Sequence, residues 1–187
     1  MLGFLTITLG LLFGFLSAFA VVNYEFRGRS FFSSFLVLPL AIPSYIAAYT
    51  YHGIFSPFGT THQLFDFYYD IKSIFYLSII MASVLFPYVF LAAKASLLLR
   101  SIKLQEVAKT LGLSDIQVFF RVTLPTIFPA LVGGMMLILM EVLNNYGAVH
   151  YFGINTFSTE IIRLWNPLNI MPVLLISLRI IIMVGVL

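Results

Sequence analysis

An all-helical membrane bundle is the fold this sequence predicts, and three observations predict it. Mean hydropathy is +1.05, with 61% of the 187 residues hydrophobic and 9% charged; soluble domains run near half apolar and a quarter charged. The apolar residues gather in five blocks, in the range of the roughly 20 residues a spanning helix needs. The charges gather between those blocks, most densely in a polar island from Leu104 to Pro125, in and beside which stand Lys103, Glu106, Lys109, Asp115 and Arg121. Cysteine is absent, which excludes disulfides, thiolate metal sites and a cysteine nucleophile. The formal charge of +3 is therefore read through membrane topology. Lipid is the expected surrounding, and no nucleic-acid partner is expected.

Taken in order, residues 1–22 carry no charge and form the first span. Gly10 and Gly14 make a small-xxx-small pair that would let another helix approach closely. Asn23 to Ser30 is a short polar turn. Residues 31–51 form the second span, interrupted by Pro39 and Pro43, each of which removes a backbone donor and kinks a helix. In a membrane such breaks persist where neighbours or a cavity satisfy the freed carbonyls. The two prolines thus mark either a helix bent around a path or a packing kink. His52 to Lys72 is an aromatic and polar connection suited to the interface. Residues 73–99 are the third span, with Pro87 inside it and Lys94 placed to snorkel. Residues 126–146 are the fourth, with Gly133 and Gly134 for close packing and Glu141 as its one charge. Gly147 to Asn169 is too polar to span and reads as a loop with a short helix. Residues 170–187 begin a fifth span that contains Arg179. Both ends run into apolar sequence, so one incomplete membrane domain over 1–187 is the expectation.

The polar island, residues 100–125 at its widest, has a helical grammar of its own. Glu106 to Lys109 suit a helix that Gly112 would cap. Ser114 reads as the next N-cap, with Gln117 as capping-box partner. In the second helix Ile116, Phe119, Phe120 and Thr123 are spaced to share a face, and Pro125 predicts a bend at Leu124. The basic residues orient the whole. Arg27, Arg29, Arg100, Lys103, Lys109 and Arg121 fall on one side, against Lys72 and Arg163 on the other, which places the island in the cytoplasm and Met1 outside.

Glu106-Val107-Ala108, three residues, Gly112, nine residues and Val122-Thr123-Leu124-Pro125 closely resemble the signature loop of binding-protein-dependent ABC importer permeases. Val107 and Val122 replace alanine and isoleucine of that pattern. The resemblance implies the type I importer permease fold, methionine-importer-like. It also implies a cytoplasmic helix-turn-helix seated on a separate ATPase dimer, with Glu106, Ala108, Gly112, Leu124 and Pro125 as coupling residues. Further implied partners are an extracytoplasmic substrate-binding protein and a second permease half. The setting implied is a prokaryotic plasma membrane, the inner one in a Gram-negative cell.

The stretch Met140 to Gly153, continued by Thr156-Phe157 to Trp165, resembles the iron(III) permease branch, as does Leu38 to Pro43. Ferric iron is the cargo this implies, and the segment is typical of the first of two homologous halves. One departure is Asn145, where the family carries an acid. Thiamine, polyamine and phosphonate importers share much of the pattern. Along the implied path stand Pro39, Pro43, Glu141 and Asn145.

Other readings are weighed against this one. Glu141 and Arg179 are ionisable residues in apolar segments, which usually face a cavity or a partner, and they could pair with each other. An ion-coupled secondary transporter would use Glu141, and a non-transporting membrane fragment would use neither. Asp66, Tyr68, Tyr69 and Asp70 with His52, His62 and His150 suggest an outward site of hard oxygen ligands. Interfacial anchoring explains the same residues better, so no metal site is assigned. A phosphate loop needs Gly-Lys followed by Ser or Thr. No Gly-Lys pair occurs here, so this chain is expected to bind no cofactor, with ATP held by a partner. No nucleophile, histidine and acid set stands out, and no catalysis is expected.

Overall fold

The computed structural model describes residues 1–66, 72–99, 107, 108, 110–165 and 170–185, leaving aside the side chains of 183 and 184. Every regular element among them is helical. In chain order these are α1 (Leu2–Asn23), α2 (Arg29–Phe35), a 3-10 turn (Leu38–Ala41), α3 (Ser44–Phe55), α4 (Thr60–Phe65) and α5 (Ile74–Leu99). They continue with α6 (Asp115–Val118), a π turn (Phe119–Thr123), α7 (Leu124–Asn144), α8 (Tyr146–Tyr151), α9 (Phe157–Leu164) and α10 (Met171–Gly185).

The core is three long helices, α1, α5 and α7, packed on one another. The buried stripe of α1 is Leu2, Thr6, Gly10, Gly14, Ala18 and Val21, spaced to lie on one helix face and mostly small. Small residues matter because lipid removes the hydrophobic drive between helices, leaving close van der Waals contact to hold them. A Cβ on Gly14 would stand 2.6 Å from the Phe86 carbonyl oxygen, 2.8 Å from Val89 Cβ and 2.9 Å from the Phe90 nitrogen. From the other side, a Cβ on Gly134 of α7 would stand 2.9 Å from Val89 Cα. Two glycines thus bring two backbones onto α5 around Val89, beside the buried Pro87.

Those contacts set the directions. Gly10 faces Phe86 and Gly14 faces Phe90, so α1 and α5 run parallel. Gly3 faces Leu139 and Val142 while Phe15 and Phe19 meet Phe119, so the 115–144 helix runs antiparallel to α1. With α1 and α5 parallel, the chain between them must return along the bundle. Lys94, near the end of α5, donates to Ser33 of α2. Lys72, just before the start of α5, lies over Tyr151, which bonds His52 of α3. The 29–55 segment therefore runs from one end of the bundle to the other, as a broken span and not a re-entrant hairpin.

Where a single kinked span over 31–51 was expected, the chain breaks. The helical stretches Arg29–Ala41 and Ser44–Phe65 are bent by 91°. Pro39 opens the 3-10 turn, and Ile42 and Pro43 are extended, with ψ of 116° and 132°. The bend expected at Leu124 is absent. Asp115–Asn144 is one helix of 30 residues. A π turn absorbs Pro125: the Leu124 N–H bonds Phe119 O, five residues back, and the wider turn relieves the proline ring of its clash with the carbonyl four residues back. That turn also shifts the helical phase, so the expected shared face dissolves. Val118 and Thr123 are buried, while Ile116 is 71% and Phe120 60% exposed.

At the other margins, α4 occupies part of the connection expected over 52–72, and two short helices, α8 and α9, stand in the 147–169 loop. Helix α10 has 15 residues, about 22 Å, and packs on α9. Lys94 does not snorkel outward; it turns to Ser33 and lies 5.7 Å from the Phe90 ring centre.

Gly14→Val should lower the melting temperature in detergent, at a cost of about 1–3 kcal/mol of overpacking. Gly133→Ala, where a Cβ meets nothing within 4 Å, should melt as the parent does. Equal melting of the two proteins would contradict the packing described.

Candidate functional site

The helix-turn-helix at the polar island is built from the backbone up. Val107, Ala108 and Thr110 are helical, and the helix ends in a left-handed residue, Gly112, with φ +87°. The Leu113 N–H reaches back to Ala108 O at 3.2 Å, the six-to-one bond of a Schellman end. Ser114 then starts α6 through a complete capping box. Its hydroxyl accepts from Gln117 N–H at 3.4 Å, and Gln117 Oε1 accepts from Ser114 N–H at 3.0 Å. Sequence grammar therefore found this turn correctly.

The two arms enclose an apolar cleft of about 340 Å³ lined by Val107, Ala108, Leu111, Leu113, Val122 and Pro125, with Arg121 and Thr126 at its margin. Ala108 is buried on one arm, and Leu124 is half-buried on the other. Pro125 is exposed and contributes to the cleft wall. Around the cleft, Val107, Leu111, Ile116 and Phe120 are 54%, 77%, 71% and 60% exposed. Four large apolar side chains are thus exposed on this segment. Glu106 lies outside the described residues, as do Arg100, Lys103 and Lys109. Phe119 anchors the assembly, its ring 5.7 Å from Phe19 and 6.2 Å from Phe15 of α1.

Of the residues assigned to a path, Asn145 is brought beside Pro43 through its bond to Ser44. Pro39 and Pro43 flank the break in the second span, at its middle. Glu141 stands one turn from the end of α7, half-buried. No ion pair joins it to Arg179, which is exposed on α10. Asn145 does something sequence reasoning missed. Its Oδ1 accepts from Ala148 N–H at 3.1 Å and caps α8, while its Nδ2 donates to Ser44 Oγ on α3. The Asn-x-x-Ala spacing is a capping signal, but the Ser44 contact lies 101 residues away and has no local trace.

The three histidines stand apart. His52 bonds the Tyr151 hydroxyl at 2.7 Å. His62 lies 3.4 Å from Asp66. His150 stacks on Tyr146 with ring centres 5.0 Å apart. Tyr68, Tyr69 and Asp70 lie outside the described residues. Among the described residues no three His, Asp or Glu side chains gather as a metal would require.

A multi-pass helical membrane bundle carrying a helix-turn-helix at one end is the class this arrangement defines. The chain belongs to the family of binding-protein-dependent transport system inner membrane components, whose model matches residues 10–187. It is thus an all-α permease of the type I importer kind, in a transport family and not an enzyme class. It is similar to the sulfate transport system permease protein CysT of Salmonella typhimurium, 32% identical over 156 residues, 81% of this chain and 56% of that protein. The probable sulfate transport system permease protein cysT of Prototheca wickerhamii is 32% identical over 140 residues, 74% of this chain and 55% of its own. The Fe(3+)-transport system permease protein FbpB 2 of Haemophilus influenzae is 29% identical over 164 residues, 87% of this chain and 30% of its own. The chain spans about half the length of the sulfate-permease relatives it matches.

Because nothing lies within 4 Å of a Cβ at Gly112, substitution there acts through backbone strain alone. Left-handed geometry costs an L-residue about 1–2 kcal/mol, and asparagine is the residue that tolerates it best. Gly112→Val should speed hydrogen exchange at the Leu113 amide, and Gly112→Asn should do so much less. Equal exchange in all three proteins would mean the turn is not set by its φ.

Proposed function

We propose that the chain is the membrane-spanning part of an ATP-driven importer, with residues 104–125 as the element through which a separate ATPase dimer works it. The observation that carries this reading is the exposed apolar surface around the Ala108–Pro125 cleft. Val107 and Leu111 line the cleft and Ile116 and Phe120 stand exposed on the next helix; in water all four gain by burial at about 25 cal/mol per Å². Ala108, Gly112, Leu124 and Pro125 shape it, and Glu106 is assigned to the same surface on the family pattern.

In this reading an external binding protein delivers cargo to the end of the bundle that holds α8. A second permease half completes the path, ATP is held by the partner subunits, and the setting is the plasma membrane of a prokaryote. ATP binding closes the ATPase dimer and moves the loop. The 115–144 helix carries that motion across the membrane, and hydrolysis resets it. Binding thus biases a two-state bundle through one docked element. Pro39 and Pro43 supply the bend that such a switch needs, and Glu141 and Asn145 stand at the receiving end.

For the cargo we favour a small inorganic ion. Ferric iron is supported by the 140–165 pattern and by the Haemophilus influenzae relative; sulfate is supported by the CysT relatives, of higher identity and coverage of their own length. Asn145 bears on this choice, since a neutral amide at the outer end offers no charge to attract a metal cation.

Co-purification of the complete permease with its ATPase should be lost in Ile116→Asp/Phe120→Asp and weakened in Gly112→Val, with membrane insertion unchanged. Retention of the ATPase by both variants would end this reading. Vesicles with the binding protein, given radiolabelled sulfate or ferric ion, would then decide the cargo by which one ATP drives inward.

A further inference from the structure

Helices α3 and α8 are joined at both ends of their contact. At the start of α3, Ser44 is 5% exposed and receives the Asn145 amide hydrogen bond. Near its end, Tyr151 O–H and His52 Nδ1 lie 2.7 Å apart, and the Tyr49 and Tyr151 ring centres lie 3.9 Å apart. Between them the backbone of α8 comes so close that a Cβ on Gly147 would stand 3.3 Å from Tyr45 Cβ. The two bonds are part-buried and directional, and with the close approach at Gly147 they hold the two helices in one register.

What lies on either side of this junction gives it meaning. Helix α3 is the part of the broken span beyond the 91° bend. The helical hydrogen bonds before the bend end with Ile42 N–H on Pro39 O and resume only with Ile46 and Ala47 N–H on Pro43 O. No such bond stiffens the Ile42–Pro43 link. Helix α8 follows α7 after Asn145 alone, and Ser158 of α9 ties to Leu143 O at 2.7 Å. Beyond α7 the same helix continues to Asp115 in the helix-turn-helix.

We propose that α3 and α8 form a permanent clasp, so that motion of the 115–144 helix carries the outer half of the broken span with it, about the Ile42–Pro43 hinge. This rests on the permease reading above and extends it. Ser44, Asn145, His52 and Tyr151 act in this as positioning residues, making two helices one body. The helix between the loop and the clasp has 30 residues, about 45 Å. A rotation at the loop is thereby delivered to the opposite end of the bundle, where the hinge lets α3 shift along α5, on which it also packs, while α2 and the 3-10 turn keep their place. The proline ring fixes Pro43 φ and keeps Ile42 extended, so the shift is a small one, centred on this link.

Cross-linking tests it. The chain has no cysteine, and 3.3 Å between Cβ positions is just under the roughly 3.5–4.5 Å of disulfides. Tyr45→Cys/Gly147→Cys is introduced into the complete permease, assembled with its ATPase and binding protein in vesicles. Disulfide yield is read without nucleotide and after vanadate trapping, together with ATP hydrolysis and uptake of sulfate and ferric ion. A clasp gives equal yield in both states, and the cross-linked protein still transports. Ser44→Ala/Tyr151→Phe, which leaves the α8 cap and the ring contacts in place, should lower uptake per ATP hydrolysed about tenfold. ATPase association should not change, while the melting temperature should fall by a few degrees, because Asn145 Nδ2 and His52 Nδ1 each lose that partner. The clasp is overturned if yield collapses on trapping, or if cross-linking stops uptake and reductant restores it, since the junction would then be a gate that opens. It is also overturned if the double variant keeps full coupling. The disulfide yield needs no knowledge of the cargo. A wild-type protein that fails to bind the ATPase would sink the permease reading by a separate measurement.

Discussion

The structure depends on one close approach. Gly14 and Gly134 bring α1 and α7 onto the backbone of α5 from two sides around Val89. In lipid, side-chain burial between helices gains little, so contact at backbone distance is what holds a bundle. The register of that contact orients everything else. It makes α1 and α5 parallel, sends the intervening chain back across the bundle, and sets Phe119 between Phe15 and Phe19. The helix-turn-helix is thus attached to the long helices through an aromatic anchor and not through its peptide connections alone.

Proline is put to three uses around that core. Pro39 and Pro43 break a span outright, because two of them fall within five residues and the short pieces on either side lean on different neighbours, α5 for the 3-10 turn and both α5 and α8 for α3. Pro87 leaves a 26-residue helix intact and is itself buried. Pro125 sits just inside α7, where a π turn reroutes the hydrogen bonds. The same chemical defect, one missing donor and one bulky ring, ends as a hinge, a packed surface or a smooth junction according to what surrounds it.

The functional surface divides in the same way. In the proposed reading the cleft at the helix-turn-helix takes up the ATPase's motion, and the α3–α8 junction stands at the other end of the bundle. Asn145 illustrates the difference. On sequence it reads as a lost acid on a path, whereas in the fold its amide is committed to capping α8 and to Ser44. An acid there could accept both the cap bond and the Ser44 hydroxyl proton, so the amide differs from it in charge and in which partner donates.

Much of this protein is set by local sequence. Apolar blocks longer than the bilayer is thick can only be helices in lipid, because no water is present to satisfy a bare backbone. Gly112, Ser114 and Gln117 make their turn from chain neighbours, so spacing alone reveals it. Family membership likewise lies in spacing. What tertiary structure decided are contacts between residues far apart in sequence. Local pattern marked Gly10 and Gly14 as an ordinary small-residue pair, and only the partner helix shows which of them meets backbone. It could not foresee the 91° break or the phase shift that exposes Ile116 and Phe120, since each depends on which carbonyls find other donors. Nor could it join Ser44 to Asn145 or His52 to Tyr151, about a hundred residues apart. Hydrogen bonds between distant segments leave no periodic trace in either one; they exist only after the helices have packed.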